Sequence, residues 1–233
     1  MRIFAFVFAR GGSKGLPGKN IKELNGKPLL EYSIDTANKI PEIEKIFVST
    51  DDADIARVAK KNGATIIYRP KELAEDHTPE WQAWRHAIQW CLEQYGEFDI
   101  FLSLPATSPL RSKEDVQETI NKLSSTKADI CIGITPAGRN PYFNMVKISE
   151  DGFCRLVNEP YKEVTRRQDT PEVFDITTVV YATNPKFVMN SYGIFSGKVA
   201  SVVIPKERAV DIDDIYDFKL AEFIMLQSKE DYA

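Results

Sequence analysis

Apolar runs alternate along the chain with segments whose apolar residues recur every three or four positions, and this alternation predicts its elements. Ile3 to Phe8 is continuously apolar and reads as a buried parallel strand. Pro28 suits the first turn of a helix that runs to about Lys39. Ile46 to Thr50 is a second strand, followed by Asp51-Asp52 and a helix from Ala53 that closes at Gly63. Thr65 to Tyr68 is a third strand. A long helix starts at Pro79 or Glu80 and ends at Tyr95, with Gly96 as its cap; Trp81, Trp84, Ile88 and Leu92 form one stripe on it. That stripe suits a core-facing surface better than a platform for stacking bases. Phe98 to Leu104 is a fourth strand, Ser112 to Asp115 is a capping box opening a helix to about Leu123, and Ile130 to Thr135 is a fifth strand.

Strand–helix alternation of this kind predicts an α/β fold with a doubly wound, mostly parallel sheet in a single domain spanning 1–233. Ligands of such sheets bind beyond the carboxyl ends of the strands. The loop after Phe8, Asp51-Asp52 and Pro105 to Arg111 all fall there. The rhythm changes after Pro136. Tyr142 to Ile148 and Phe153 to Val157 flank Asp151-Gly152 as a hairpin, and the polar stretch from Asn158 to Glu172 is too long for a casual loop. Residues 138–175 are therefore expected to project from the sheet as a lid or an oligomer contact. Thr177 to Ala182 and Val199 to Ile204 return to strand, and Asp213 or Asp214 opens a closing helix.

The chemistry concentrates in the loop from Ala9 to Asn20. It holds Gly11, Gly12, Gly15 and Gly18, with Pro17 and the cations Arg10, Lys14 and Lys19. Glycines let backbone amides approach an anion, and the cations add charge, so the loop suits a polyphosphate. It is not the common P-loop, because Ser13 stands at the first glycine and Asn20 at the final Ser/Thr; nor does it have the alternating glycines of the dinucleotide fingerprint. The whole chain has a net charge of -4, which argues against general binding to nucleic acid or membrane surfaces and makes the basic loop a local feature. Cys91, Cys131 and Cys154 lack metal-ligand spacing and read as reduced thiols of a cytoplasmic protein. No stretch approaches the roughly 18 apolar residues of a membrane span.

Asp211-Ile212-Asp213-Asp214 is the second site. Two carboxylates alternating at a strand end suit Mg²⁺ with substrate phosphates, or else Asp213 or Asp214 simply caps the last helix. His77 and His86 offer neither a triad nor a metal pair, and no nucleophile elbow occurs. Transfer chemistry on a nucleoside triphosphate needs positioning and charge compensation more than a protein nucleophile.

The stretch from Ala9 to Asn20, Val48-Ser49-Thr50-Asp51, Arg69-Pro70, Thr107-Ser108-Pro109-Leu110-Arg111 and Asp211-Ile212-Asp213 together resemble the acylneuraminate cytidylyltransferases, in the family's order and across nearly the whole chain. The resemblance implies a Rossmann-like nucleotidyltransferase that joins CTP to a 2-keto nonulosonic sugar acid, giving the CMP-sugar and pyrophosphate. It implies a nucleotide site of Arg10, Gly11, Gly12, Ser13, Lys14, Lys19, Asn20 and Arg69, with Mg²⁺ on Asp211 and Asp213. Arg10, Lys19 and Asp211 would carry catalysis. Arg167 would face the sugar carboxylate, and the arm would support a homodimer. Arg111 reads as structural at its strand end.

The sugar half departs from the family. A family glutamine is matched by Pro105, a lysine by Phe143 and an arginine of the arm by Asp175. Such changes remodel contacts with the acceptor. Arg139 to Asn144, Arg167-Gln168 and Phe174-Asp175 resemble the branch that activates bacterial legionaminic acid. The alternatives are a nucleotidyltransferase acting on KDO or a sugar phosphate, and a non-catalytic nucleotide-binding homologue.

Overall fold

The computed structural model describes residues 1–159 and 166–230, with side chains described through residue 227. Its first strand, β1 (Ile3–Phe8), lies inside the main sheet because five of its six residues are fully buried. Alternate side chains reach opposite faces. Phe4 and Phe6 pack with Trp84, Ile88 and Cys91, whereas Ile3 and Ala5 pack with Val116 and Ile120. A strand that must satisfy two apolar faces reads as a continuous apolar run, which is why it was legible.

The chain continues through β2 (Glu23–Leu24) and β3 (Lys27–Pro28), a small hairpin, into α1 (Leu29–Asn38), β4 (Ile43–Thr50), α2 (Ala53–Lys61) and β5 (Thr65–Tyr68). Helix α3 (Glu80–Tyr95) leads to β6 (Ile100–Ser103), α4 (Lys113–Ser125) and β7 (Ile130–Pro136). After the hairpin β8 (Val146–Ile148) and β9 (Cys154–Leu156) come β10 (Phe174–Thr183), α5 (Pro185–Asn190), β11 (Val199–Val203) and α6 (Ile215–Glu230). Seven strands form one sheet in the order β11-β7-β10-β6-β1-β4-β5. All neighbours are parallel except β10, which runs against both β6 and β7. The start of β10 thus reaches the carboxyl end of the parallel strands, where ligands of such sheets bind.

Most expected elements stand where the pattern placed them, with differences that have local causes. Phe98 lies outside β6, whose pairing with β1 begins at Ile100, and its ring stacks on Phe4 at 4.6 Å. Tyr142 to Asn144 are a turn, not strand, because Asn140 accepts the Tyr142 amide on its side chain and the Phe143 and Asn144 amides on its carbonyl. The α3 stripe is core: Trp84 and Ile88 are buried, and Trp81 donates its indole N–H to the carbonyls of Val188 and Ser191. The capping box at Ser112 and Asp115 is present. Residues 160–165 of the expected arm lie outside the described residues. Its hairpin turns at Gly152 (φ +83°) and leaves Val146, Ile148 and Phe153 exposed.

Candidate active site

The loop after β1 is held from below. Asn20, buried, donates its amide to the Arg10 carbonyl at 2.9 Å and ties the two ends of the loop together. The Gly11 amide donates to Asp51 at 3.1 Å, and a Cβ on Gly11 would lie 2.7 Å from the Asp52 carboxylate. Asp52 itself caps α2, accepting from the amides of Asp54 and Ile55. Gly18 (φ +66°) turns the chain into a short 3₁₀ segment, Lys19–Ile21, in a conformation that glycine adopts without strain.

A closer approach fixes the other side of the loop. A Cβ on Gly15 would lie 2.4 Å from the Asp213 carbonyl oxygen, so only glycine permits this contact. Leu16 packs beside Ile212 and Phe218 next to it. The result places Lys19, 194 residues away in sequence, against the acidic segment. Its buried ammonium donates to the Ile212 carbonyl and lies 3.3 Å from Asp213 Oδ1. The expected meeting of the cation loop with the acidic pair is present in the fold.

The two readings of that acidic segment separate here. Asp214 Oδ1 accepts the amides of Tyr216 and Asp217 and thereby caps α6. Asp211 and Asp213 are left for other work. Asp211 Oδ1 is buried without a hydrogen-bond partner, whereas Asp213 is largely exposed. Burial raises the Asp211 pKa and Asp213 adds to the rise, while the hydroxyls of Thr107 and Thr178 and the Lys19 ammonium oppose it. An orphaned carboxylate oxygen beside a second carboxylate fits a hard divalent cation that completes its shell with phosphate oxygens and water. Among the described residues no group of three or more His, Cys, Asp or Glu side chains forms a closed metal cage.

Arg10 and Lys14 meet a residue that the sequence did not single out. Arg10 Nη1 lies 2.6 Å from Asp76 Oδ1, and Lys14 pairs with the other oxygen of the same carboxylate. Arg69 is buried at the end of β5, donates to the hydroxyl and carbonyl of Ser49, and sets its guanidinium over the Phe8 ring at 5.6 Å. Burial lowers its pKa, with Asp51 and Glu80 opposing. Glu80, on the first turn of α3, was likewise missed. Desolvation of its carboxyl raises its pKa, and Trp84 and Arg69 pull the other way. No local motif marks Asp76 or Glu80; only the fold brings them to the loop and to Arg69.

Arg111 is structural. Its buried guanidinium donates to the carbonyls of Val179 and Pro105 and to Ser33 Oγ, and burial pushes its pKa down to about 9. His77 is exposed beside Glu75. The thiols of Cys91 and Cys131 are pushed up to about 12 and about 11 by burial, as expected of packing cysteines.

The acceptor candidates form a second group. Arg167 donates to the Ala137 carbonyl at 2.7 Å and lines a cavity of about 420 Å³ with Pro136, Asn140 and Thr170. Asp175 accepts the Gly138 amide at 3.3 Å. Phe143 is half-buried in the turn set by Asn140. Asp175 is three residues, about 10 Å of strand, before Thr178 on β10, whose hydroxyl acts on Asp211.

The sequence pattern of the family described as cytidylyltransferase matches residues 4–203. A post-translational flagellin modification protein B of Campylobacter coli is 31% identical, with 98% of each chain covered. A CMP-N,N'-diacetyllegionaminic acid synthase of Campylobacter jejuni is 32% identical over 96% of this chain and 94% of its own length. Among solved structures, a CMP:2-keto-3-deoxy-manno-octonic acid synthetase complexed with CTP superposes with a TM-score of 0.73, covering 98% of this chain and 100% of its own, at 14% identity. That last likeness speaks for the fold alone.

Proposed function

The chain belongs to the cytidylyltransferase family, and from that membership we propose that it transfers CMP from CTP to the anomeric hydroxyl of a nonulosonic sugar acid, releasing pyrophosphate. The observation that carries the reading is the meeting of Lys19 with Asp213 and, beside it, the orphaned Asp211 oxygen. Cations and carboxylates of one chamber can then act on the same phosphate tail. The anomeric oxygen attacks the α-phosphorus in line, the bond to the bridging oxygen breaks, and pyrophosphate leaves with that electron pair.

The residues divide this work. Arg10, Lys14 and Lys19 compensate phosphate charge, and the backbone of Gly11, Gly12 and Ser13 lets the phosphates approach. A Cβ at Gly12 would meet nothing within 4 Å, which leaves that face of the loop open. Arg69 and Asn20 are the candidates for placing the nucleoside, and the bond of Asn20 to the Arg10 carbonyl supports a further part in holding the loop closed. Asp211 and Asp213 would hold Mg²⁺, which when bound supplies charge neutralisation at the α-phosphate and helps activate the attacking hydroxyl.

On the acceptor side, Arg167 is the candidate partner of the sugar carboxylate. Pro105, Phe143 and Asp175 make the remaining contacts less polar or more acidic than a sialic acid site, and the similarity to a legionaminic acid synthase supports a legionaminic-type acceptor. The exposed apolar residues of the β8–β9 hairpin support a homodimer built through the arm. CTP as donor and three free thiols support a cytoplasmic setting. No described helix is long and apolar enough to cross a membrane. The test is pyrophosphate and CMP-sugar formation from CTP with Mg²⁺ and a panel of acceptors. Turnover with legionaminic-type acids ahead of neuraminic acid and KDO is expected. Activity only on a sugar phosphate would overturn the acceptor, and none on any acceptor would favour a binding protein.

A further inference from the structure

Arg10 and Lys14 are already partnered in this fold, because both hold the carboxylate of Asp76. A carboxylate that bridges two loop cations with its two oxygens presents them the same chemistry as a phosphate edge. We propose that Asp76 competes with substrate phosphate for Arg10 and Lys14, so that the segment 71–78 is a strap that swings aside as the nucleotide's phosphates bind. The proposal rests on the reading of the glycine loop as the phosphate site.

The strap is built to move as one piece. Pro70 and Pro79 flank it in extended conformations, with ψ of 143° and 133°. Inside it the hydrogen bonds are local: Leu73 to Pro70, Ala74 to Lys71, the Thr78 amide to Glu75 and the Thr78 hydroxyl to Glu72. Its polar links to the loop are few and superficial. They are the Arg10 bond to the Ala74 carbonyl at 3.2 Å and the two ion pairs of Asp76. Lys14 is 82% exposed and Asp76 37%, so the pairs are screened and weak, within reach of displacement by a multiply charged anion. An open groove of about 600 Å³ runs between strap and loop, lined by Arg10, Gly12, Lys14, Ala74 and His77.

Two consequences follow. The competing carboxylate weakens phosphate binding at these cations, and by the same exchange it helps expel pyrophosphate after transfer. The test is titration calorimetry of CTP and of pyrophosphate with the full chain and with Asp76→Asn, which keeps the side-chain shape and removes the charge. Both ligands should bind the variant roughly fivefold more tightly. Asp76→Ser should give the same gain, the gain should shrink in a Lys14→Ala background, where only the Arg10 pair remains to be relieved, and cytidine, which lacks phosphate, should bind all proteins alike. Unchanged or weaker CTP binding by Asp76→Asn would overturn the proposal and leave the phosphate site standing, as would an equal effect on cytidine. Failure of the unaltered chain to bind CTP at all would overturn both.

Discussion

The two halves of the candidate site are built in opposite ways. On the nucleotide side the base of the loop is braced against the body of the sheet and the start of the last helix: Asn20 on Arg10, Gly15 against Asp213, Lys19 on Ile212, and Arg69 on Ser49. On the acceptor side, Arg167 and Asp175 are bonded to Ala137 and Gly138 at the arm's own root, and the hairpin beyond presents Ile148 at 75% and Phe153 at 70% exposure. Transfer chemistry needs charge fixed in advance, which a braced loop provides. In the proposed reading, acceptor choice falls to a separate element whose residues can change without disturbing the loop. Phe143 and Asp175, which depart from sialic acid enzymes, lie on that element, whereas Pro105 is buried after β6 with its carbonyl held by Ser33 and Arg111.

The comparison breaks most visibly at Asp211. Asp211→Asn should lower kcat by about 10³-fold if, as proposed, it holds a metal whose charge stabilisation is worth several kcal/mol. Circular dichroism of the variant should stay native, since the orphaned Oδ1 makes no bond that the fold needs. Lys19→Ala should lower kcat/KM for CTP by about 10²-fold and leave the KM of the sugar acid alone, as steady-state kinetics would show. The mirror experiment is Arg167→Ala. It should raise the KM of the sugar acid by roughly ten- to a hundredfold, from the loss of a charged hydrogen bond, with the KM of CTP unchanged. If either variant moved both constants equally, the division into halves would fail.

Smaller effects sharpen the same contrast. Gly15→Ala forces a methyl into the Asp213 carbonyl, a shift that costs about 1–3 kcal/mol. Tm should fall by several degrees and CTP turnover with it. The scaffold supplies a control outside both halves. Arg208 grips both oxygens of Asp115 at 2.9 Å. Burial of Asp115 would raise its pKa, but Arg208 and the Ser112 amide outweigh it and the value is lowered. A lowered carboxylate stabilises the fold above the unfolded value, near 4, and that stability is lost as pH falls through the lower folded value. Asp115→Asn should therefore cost about 1 kcal/mol at neutral pH and nothing once both proteins are at low pH, as urea unfolding at several pH values would show.

Much of this was legible because the signals are contiguous. An apolar strand running into a glycine-cation loop announces itself, and Ser112 with Asp115 reads as a cap in any context. The hairpin at Asn25-Gly26 was not read from the sequence, although its dipeptide suits the two positive φ angles observed, 49° and 77°. The orientation of β10 had no signal, because the direction of a strand is set by the path of the arm that leads into it. Asp76 and Glu80 were missed for a similar reason. Arg10 lies 66 residues from Asp76 in the numbering, and Arg69, whose charge acts on Glu80, lies outside the helix that Glu80 opens, so no helix or strand period links them. The roles of Asp213 and Asp214 could be separated only once the α6 cap was seen.

A structure with Mg²⁺ and a non-hydrolysable CTP analogue tests the central claim most directly. The phosphates should lie between Lys19 and the Asp211–Asp213 pair, with the ion on the Asp211 oxygen that has no partner here and Asp76 withdrawn from Arg10 and Lys14. A triphosphate seated elsewhere, for instance in the cavity beside Arg167, would contradict the account.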